Sequence, residues 1–161
     1  MANTIKVISI DPGVTTGYAV GVITDGYMKV RCDQQKFTHL ELNDFLVGNH
    51  PDVVICERFD FRKKAVGVNL YPVEMIGVVH FFIQERKRRD LQVDLYLQKP
   101  AEQGSKAYWT DAKLKEFEVY DKSHEHGRSA MKHLLYWYTF GAGFQYNKKE
   151  FGPWDETKQS V

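Results

Sequence analysis

Apolar positions along this chain recur in two rhythms. Ile5 to Ile10 (IKVISI) is largely apolar and β-branched and runs into Asp-Pro-Gly, which predicts a buried strand ending in a turn. Tyr18 to Ile23 (YAVGVI) and Tyr27 to Cys32 (YMKVRC) read as two more strands, joined by the hairpin signal Asp25-Gly26. Leu40 to Val47 has helical spacing, stopped by Asn49-His50-Pro51. Asp52 to Cys56 (DVVIC) is short and continuously apolar, as a central strand is. Pro72 to Arg88 is helical, with Val73, Ile76, Val79, His80 and Ile83 at steps of three and four and Pro72 suited to the first turn. Leu91 to Leu97 alternates as a fifth strand, and Asp111 to Phe117 is a short helix. Ser123 is the expected N-cap of a last helix reaching about Tyr138. The order βββαβαβα predicts an α/β fold: a mixed five-stranded sheet with helices packed on it. One domain over 1–140 is expected, and 141–161, rich in Gly, Lys, Asn and aromatics, reads as a tail that is poorly ordered or clamps a partner.

Composition narrows the class. At 161 residues the chain has room for one domain with a sizeable core. Lys and Arg total 22 against 21 for Asp and Glu, so bulk charge does not hold a nucleic acid here, although a local basic patch can. Aromatics at 14% supply flat stacking surfaces. Cys32 and Cys56 form neither a secreted-type disulfide framework nor a CxxC pair, and a reduced cytoplasmic compartment is the expectation. No apolar run reaches the length of a membrane span, and no signal-peptide block precedes the first strand.

Three features carry chemistry. The first is Asp11-Pro12-Gly13-Val14-Thr15-Thr16-Gly17 at the end of a central strand. It can be a hairpin turn with a capping Asp, a metal-binding Asp for phosphodiester chemistry, or a phosphate-binding hairpin. Its glycines would allow a tight reversal and a close approach of phosphate or metal. The second is Glu57, directly after the apolar DVVIC strand. It is either a solvated strand-end Glu paired with Arg58 or a second carboxylate beside Asp11, and two adjacent carboxylates call for a cation such as Mg²⁺ or Mn²⁺. The third is the last helix, where His126, Ser129 and His133 share one face. His126 could reach a metal held by Asp11 and Glu57, or be an ordinary polar residue near the helix start.

Taken together, IDPGVTTGYAV (Ile10 to Val20), ICERF (Ile55 to Phe59), QKPAEQGSKAYW (Gln98 to Trp109) and HGRSAMKHLLYW (His126 to Trp137) resemble the RuvC-like Holliday junction resolvases, especially the small phage-type members. The resemblance spans most of the chain. It implies a ribonuclease H-like fold and an active site with two divalent ions, Mg²⁺ or Mn²⁺. Asp11 and Glu57 would be the first two metal carboxylates, His126 the His of a His-x-x-Asp pattern, and Lys106 a lysine near the scissile phosphate. The sequence departs from the pattern at Ser129, where the family has Asp. One formal negative charge is lost, for which Asp121, Glu125 or His133 could compensate.

The stretch after Glu57 sets Arg58, Arg62, Lys63 and Lys64 among Phe59 and Phe61. Basic side chains grip phosphates and aromatic ones wedge between bases, although a charged surface loop with one core Phe has the same composition. The resemblance implies that Phe59 or Phe61 enters the junction centre and that the 72–88 helix builds a homodimer interface. Glu85 to Asp90 is also basic, but positive charge at a helix C-terminus is favoured in its own right. The expectation is a metal-dependent endonuclease for four-way or other branched DNA. Its rivals are a junction-binding protein weakened by Ser129, and a phosphotransferase of the actin-like superfamily that shares the DPGVTTG hairpin.

Overall fold

A computed structural model of the chain describes residues 4–60, 67–100, 108–141 and 150–154. Strands β1 (Thr4–Asp11), β2 (Thr16–Thr24) and β3 (Tyr27–Gln35) form an antiparallel meander. Asp25 and Gly26 both have positive φ, 52° and 82°, which matches the right-handed twist of the strands they join. Helix α1 (His39–Asn49) starts at a capping box, in which Thr38 accepts from the Glu41 N–H and Glu41 accepts from the Thr38 N–H. Strand β4 (Val53–Glu57) lies parallel to β1, and after α2 (Tyr71–Arg88) comes β5 (Asp94–Gln98), parallel to β4. Helices α3 (Asp111–Glu116) and α4 (Glu125–Phe140) follow, and β6 (Glu150–Pro153) closes the described chain.

The sheet has six strands, in the order β5-β4-β1-β2-β3-β6, not the five expected from the pattern. The sixth comes from the stretch read as a tail. Gly152 and Pro153 argue against a strand, but β6 is an edge strand paired with β3 alone, where a missing N–H is tolerated. Tertiary contacts hold it: Phe151 packs on Trp109 and Phe117, and the Arg31 guanidinium lies over Trp154.

Alternation in β1 sorts the two cores. Val7 joins Ala19, Val30, Val53 and Ile55 under α4, where Met131, Leu134, Leu135 and Tyr138 cover them. Ile8 and Ile10 join Val20, Val54 and Cys56 on the other face, under Leu42 and Leu46 of α1 and Met75, Val79, Phe82 and Ile83 of α2. Burial on both faces explains why β4 is apolar throughout. Each fully buried Leu, Ile or Phe contributes about 1.5–3 kcal/mol. The inward stripe of α2 is rotated from the expected one: Val79 and Ile83 are buried, whereas Val73 and His80 are exposed. The N-cap of α4 is His124, one residue beyond Ser123, and makes no side-chain cap bond. Its ring is held instead between Asp121 (2.7 Å) and Asp33 (3.2 Å).

Candidate active site at the carboxyl edge of the sheet

Parallel strands β1, β4 and β5 all end at the same edge of the sheet, and their last residues are polar: Asp11, Glu57 and Gln98. Since Ile10 pairs with Cys56 and Glu57 with Gln98, the three stand side by side. Their strand positions place them on the face covered by α4. An apolar strand can end on a carboxylate there because the last residue escapes the core while its predecessors fill it.

Helix α4 comes unusually close to this edge. A Cβ on Gly17 would collide with the carbonyl of His126, and one on Gly127 would lie 2.7 Å from the carbonyl of Asp33. The two glycines dock the helix start on β2 and β3, and the Gln34 side-chain oxygen accepts from the His126 N–H at 2.9 Å. The space over Gly17, read from sequence as room for a phosphate or metal, is therefore filled by protein backbone. That removes the support for a phosphate-cradling hairpin. Thr16 closes the 12–15 turn by donating to the Gly13 carbonyl at 2.9 Å.

Docked in this way, α4 presents three residues to the strand ends. His126, exposed, sets Nδ1 3.3 Å from Oδ2 of Asp11. Ser129 stands one turn on, near enough to the same carboxylate to pull its pKa down. His133, fully buried, places Nε2 2.8 Å from Oε2 of Glu57 and Nδ1 2.6 Å from Oε1 of Gln98. Burial, and then the charge of Glu57, push the Asp11 carboxyl up to about 6, against the opposing pull of His126 and Ser129.

Asp11, Glu57, His126 and Ser129 are thus brought to one place. Arg58 and Phe59 leave β4 beside them: Arg58 is exposed and pairs with Asp60 at 3.0 Å, not with Glu57, and Phe59 is half-buried. Lys106, Phe61, Arg62, Lys63 and Lys64 lie outside the described residues. Of the groups considered as replacements for the lost charge, Asp121 is engaged by His124, and His133 is turned to Glu57 and Gln98. Gln98 was not singled out from sequence. The available signal was a polar residue ending an alternating strand, as Glu57 ends its own.

The donor set suits a hard divalent cation. Two carboxylates on adjacent strand ends repel each other, Glu57 adding to the rise that burial gives Asp11, and a cation between them reverses that penalty. His126 and Ser129 add a nitrogen and a neutral oxygen. Among the described residues, no three His, Cys, Asp or Glu side chains stand ready as a ligand cage. Each imidazole facing the strand ends is hydrogen-bonded to a carboxylate, so a cation entering beside Asp11 would replace the 3.3 Å His126 contact.

No family model matches the chain, and no curated relative matches it in sequence. Solved structures do match in fold. RuvC of Thermus thermophilus in complex with a Holliday junction substrate aligns with a TM-score of 0.61 at 16% identity, over 84% of this chain and 95% of that one. The fowlpox virus Holliday junction resolvase aligns at 0.53 and 14%, over 81% and 96%. The yeast mitochondrial Holliday junction resolvase Ydc2 aligns at 0.50 and 12%, over 90% and 82%. The fold is RuvC-like, an α/β sheet with helices packed on it.

Proposed function

We propose that this protein is a divalent-metal-dependent endonuclease acting on four-way or similarly branched DNA. The observation that carries the proposal is the pair Asp11 and Glu57, ending adjacent parallel strands on one face of a sheet whose fold is that of Holliday junction resolvases. Asp11 and Glu57 would hold a Mg²⁺ or Mn²⁺ ion, whose chemistry is Lewis-acid polarisation of a phosphodiester and activation of a water. The resemblance adds a second ion, for which Glu57, His126 and the neutral Ser129 are the available donors. Neutrality at Ser129 makes that second position the weaker one. His126, exposed and released from Asp11 by a bound cation, would be free to turn to the second ion. Lys106 would offset negative charge at the phosphate.

Arg58 and Phe59 begin the DNA-contacting segment, with Phe61, Arg62, Lys63 and Lys64 continuing it. Selection would be by shape, since a nearly neutral domain with one basic, aromatic stretch of sequence has few means of reading base edges. A two-fold dimer suits a junction with two symmetric strands to cut. Exposed Phe81 of α2 and Leu40 of α1 flank a groove of about 480 Å³ on the face opposite α4 and supply the apolar surface for it.

A second reading, binding with little cleavage, is favoured by Ser129 alone. One experiment separates the two: a labelled four-way junction incubated with the protein in Mg²⁺, in Mn²⁺ and in chelator, beside Asp11→Asn and Glu57→Gln. Metal-dependent paired nicks that vanish in both variants are expected. Tight junction binding with no cleavage in either metal establishes the second reading. No preference for junction over linear duplex refutes both.

A further inference from the structure

His133 lies in the middle of α4 among Ala130, Met131, Leu134 and Leu135, all buried, and is itself fully buried. An imidazole in such a place loses its water and needs partners. It has two, and both are strand-end residues of the candidate site: Nε2 is 2.8 Å from Oε2 of Glu57 and Nδ1 is 2.6 Å from Oε1 of Gln98. A carboxylate oxygen accepts, so the Nε2–H donates to Glu57, and Nδ1 of the neutral ring is then an acceptor that the Gln98 amide satisfies with its NH2 turned toward the ring. Gln98 continues β5 beside Glu57, in register with it, and its side chain is buried as well. The ring is therefore clamped by two strands and cannot turn without leaving a buried polar group unpaired.

We propose that His133, braced by Gln98, is a positioning residue for Glu57: it occupies Oε2 and leaves Oε1 as the atom that faces a bound cation. This inference rests on the metal-dependent reading given above and deepens it. Groups behind a metal ligand fix its orientation, and their removal typically lowers metal affinity about 10- to 100-fold. The arrangement also accounts for a histidine where a leucine would pack: the strand-end carboxylate is half-buried, and a mobile one would present either oxygen at random. His133 thus acts through Glu57 and does not itself ligate.

Mn²⁺ binding to the full chain, followed by the loss of the free-ion electron paramagnetic resonance signal, tests the proposal without relying on cleavage. Three variants are compared with the wild type: His133→Leu, which removes the donor; His133→Gln, which keeps an N–H near Glu57; and Gln98→Met, which removes only the brace. Circular dichroism and thermal melting report whether each is folded. His133→Leu should bind Mn²⁺ about 10- to 100-fold more weakly, His133→Gln should recover most of that loss, and Gln98→Met should fall between. Wild-type affinity in folded His133→Leu overturns the proposal, and so does a folded His133→Gln as weak as the Leu variant. Should His133→Leu not fold, unchanged affinity in Gln98→Met overturns it and weakened affinity there supports it. A wild-type protein that binds no Mn²⁺ overturns the metal-dependent reading itself, a result distinct from these.

Discussion

At neutral pH the ionised Asp11 carboxylate is held against two penalties, its burial and the charge of Glu57. Its folded value, about 6, stands above the ordinary 3.8, so the protonated form stabilises the metal-free fold. That contribution is complete below about pH 4 and is lost as pH rises through 6. At about 1.4 kcal/mol per pKa unit, the conflict costs the metal-free protein roughly 1–3 kcal/mol at pH 7.5. Asp11→Asn should recover a stabilisation of that order in urea unfolding with chelator present, and should abolish cleavage. Equal or lower stability of the variant would mean that the ionised Asp11 carboxylate carries no net penalty in the metal-free fold. Cleavage by the wild type should fall as pH drops below about 6, where a proton competes for the cation's ligand. Ser129 is the second test at this scale. It stands beside Asp11 on α4, so Ser129→Asp adds a third carboxylate to the pair. The Mg²⁺-dependent cleavage rate should rise while metal-free stability falls by about 1–3 kcal/mol. A folded variant with no gain in Mg²⁺-dependent rate would place the third acid elsewhere.

Among the elements, α4 decides whether there is a site at all. Its first turn reaches Asp11 only because Gly17 and Gly127 let two backbones approach within a distance that no Cβ permits. Gly17→Ala should push the helix start off β2, carry His126 and Ser129 away from the carboxylates and cost roughly 1–3 kcal/mol of stability. Mn²⁺ affinity should fall with it. Wild-type Mn²⁺ affinity in this variant would show that the helix start contributes nothing to the cation site. The edge strand β6 makes the same point about context: four residues with a Gly and a Pro are a strand only because β3 and an aromatic cluster of Trp109, Phe117 and Phe151 receive them.

For the molecule as a whole, the two faces of the sheet divide the work. The α4 face and the strand ends beside it hold the ionisable groups of the candidate site. The α1 and α2 face exposes Leu40, Val47, Val73 and Phe81. Among the described residues no helix is long and apolar enough to cross a membrane. A dimer through this face would relate two sites by one two-fold axis. Phe81→Asp should give a monomer in sedimentation velocity at micromolar concentration and should turn paired cuts on a four-way junction into single nicks. A wild-type protein that is monomeric both alone and on DNA would remove this interface.

Much of this architecture was readable in the residues. The meander, the Asp25-Gly26 turn, the buried β4 and the helices α1, α2 and α4 follow from periodicity and turn chemistry, which are local. Asp11 and Glu57 stood out because a carboxylate that ends an apolar strand is at odds with its neighbours. Other features depended on which elements meet. The sixth strand exists through pairing alone. The inward stripe of α2 turned on which residues the sheet below could receive, and its sequence offers apolar residues on more than one side. Gly17 needed α4 above it before its lack of a side chain had a reason. His133 and Gln98 acquire a role only where β4, β5 and α4 converge, because a hydrogen bond between residues 35 positions apart leaves no periodic trace in the sequence. Local pattern specifies which elements form; contact between distant elements decides which polar side chains share a buried edge, and that is where the chemistry of this protein is assembled.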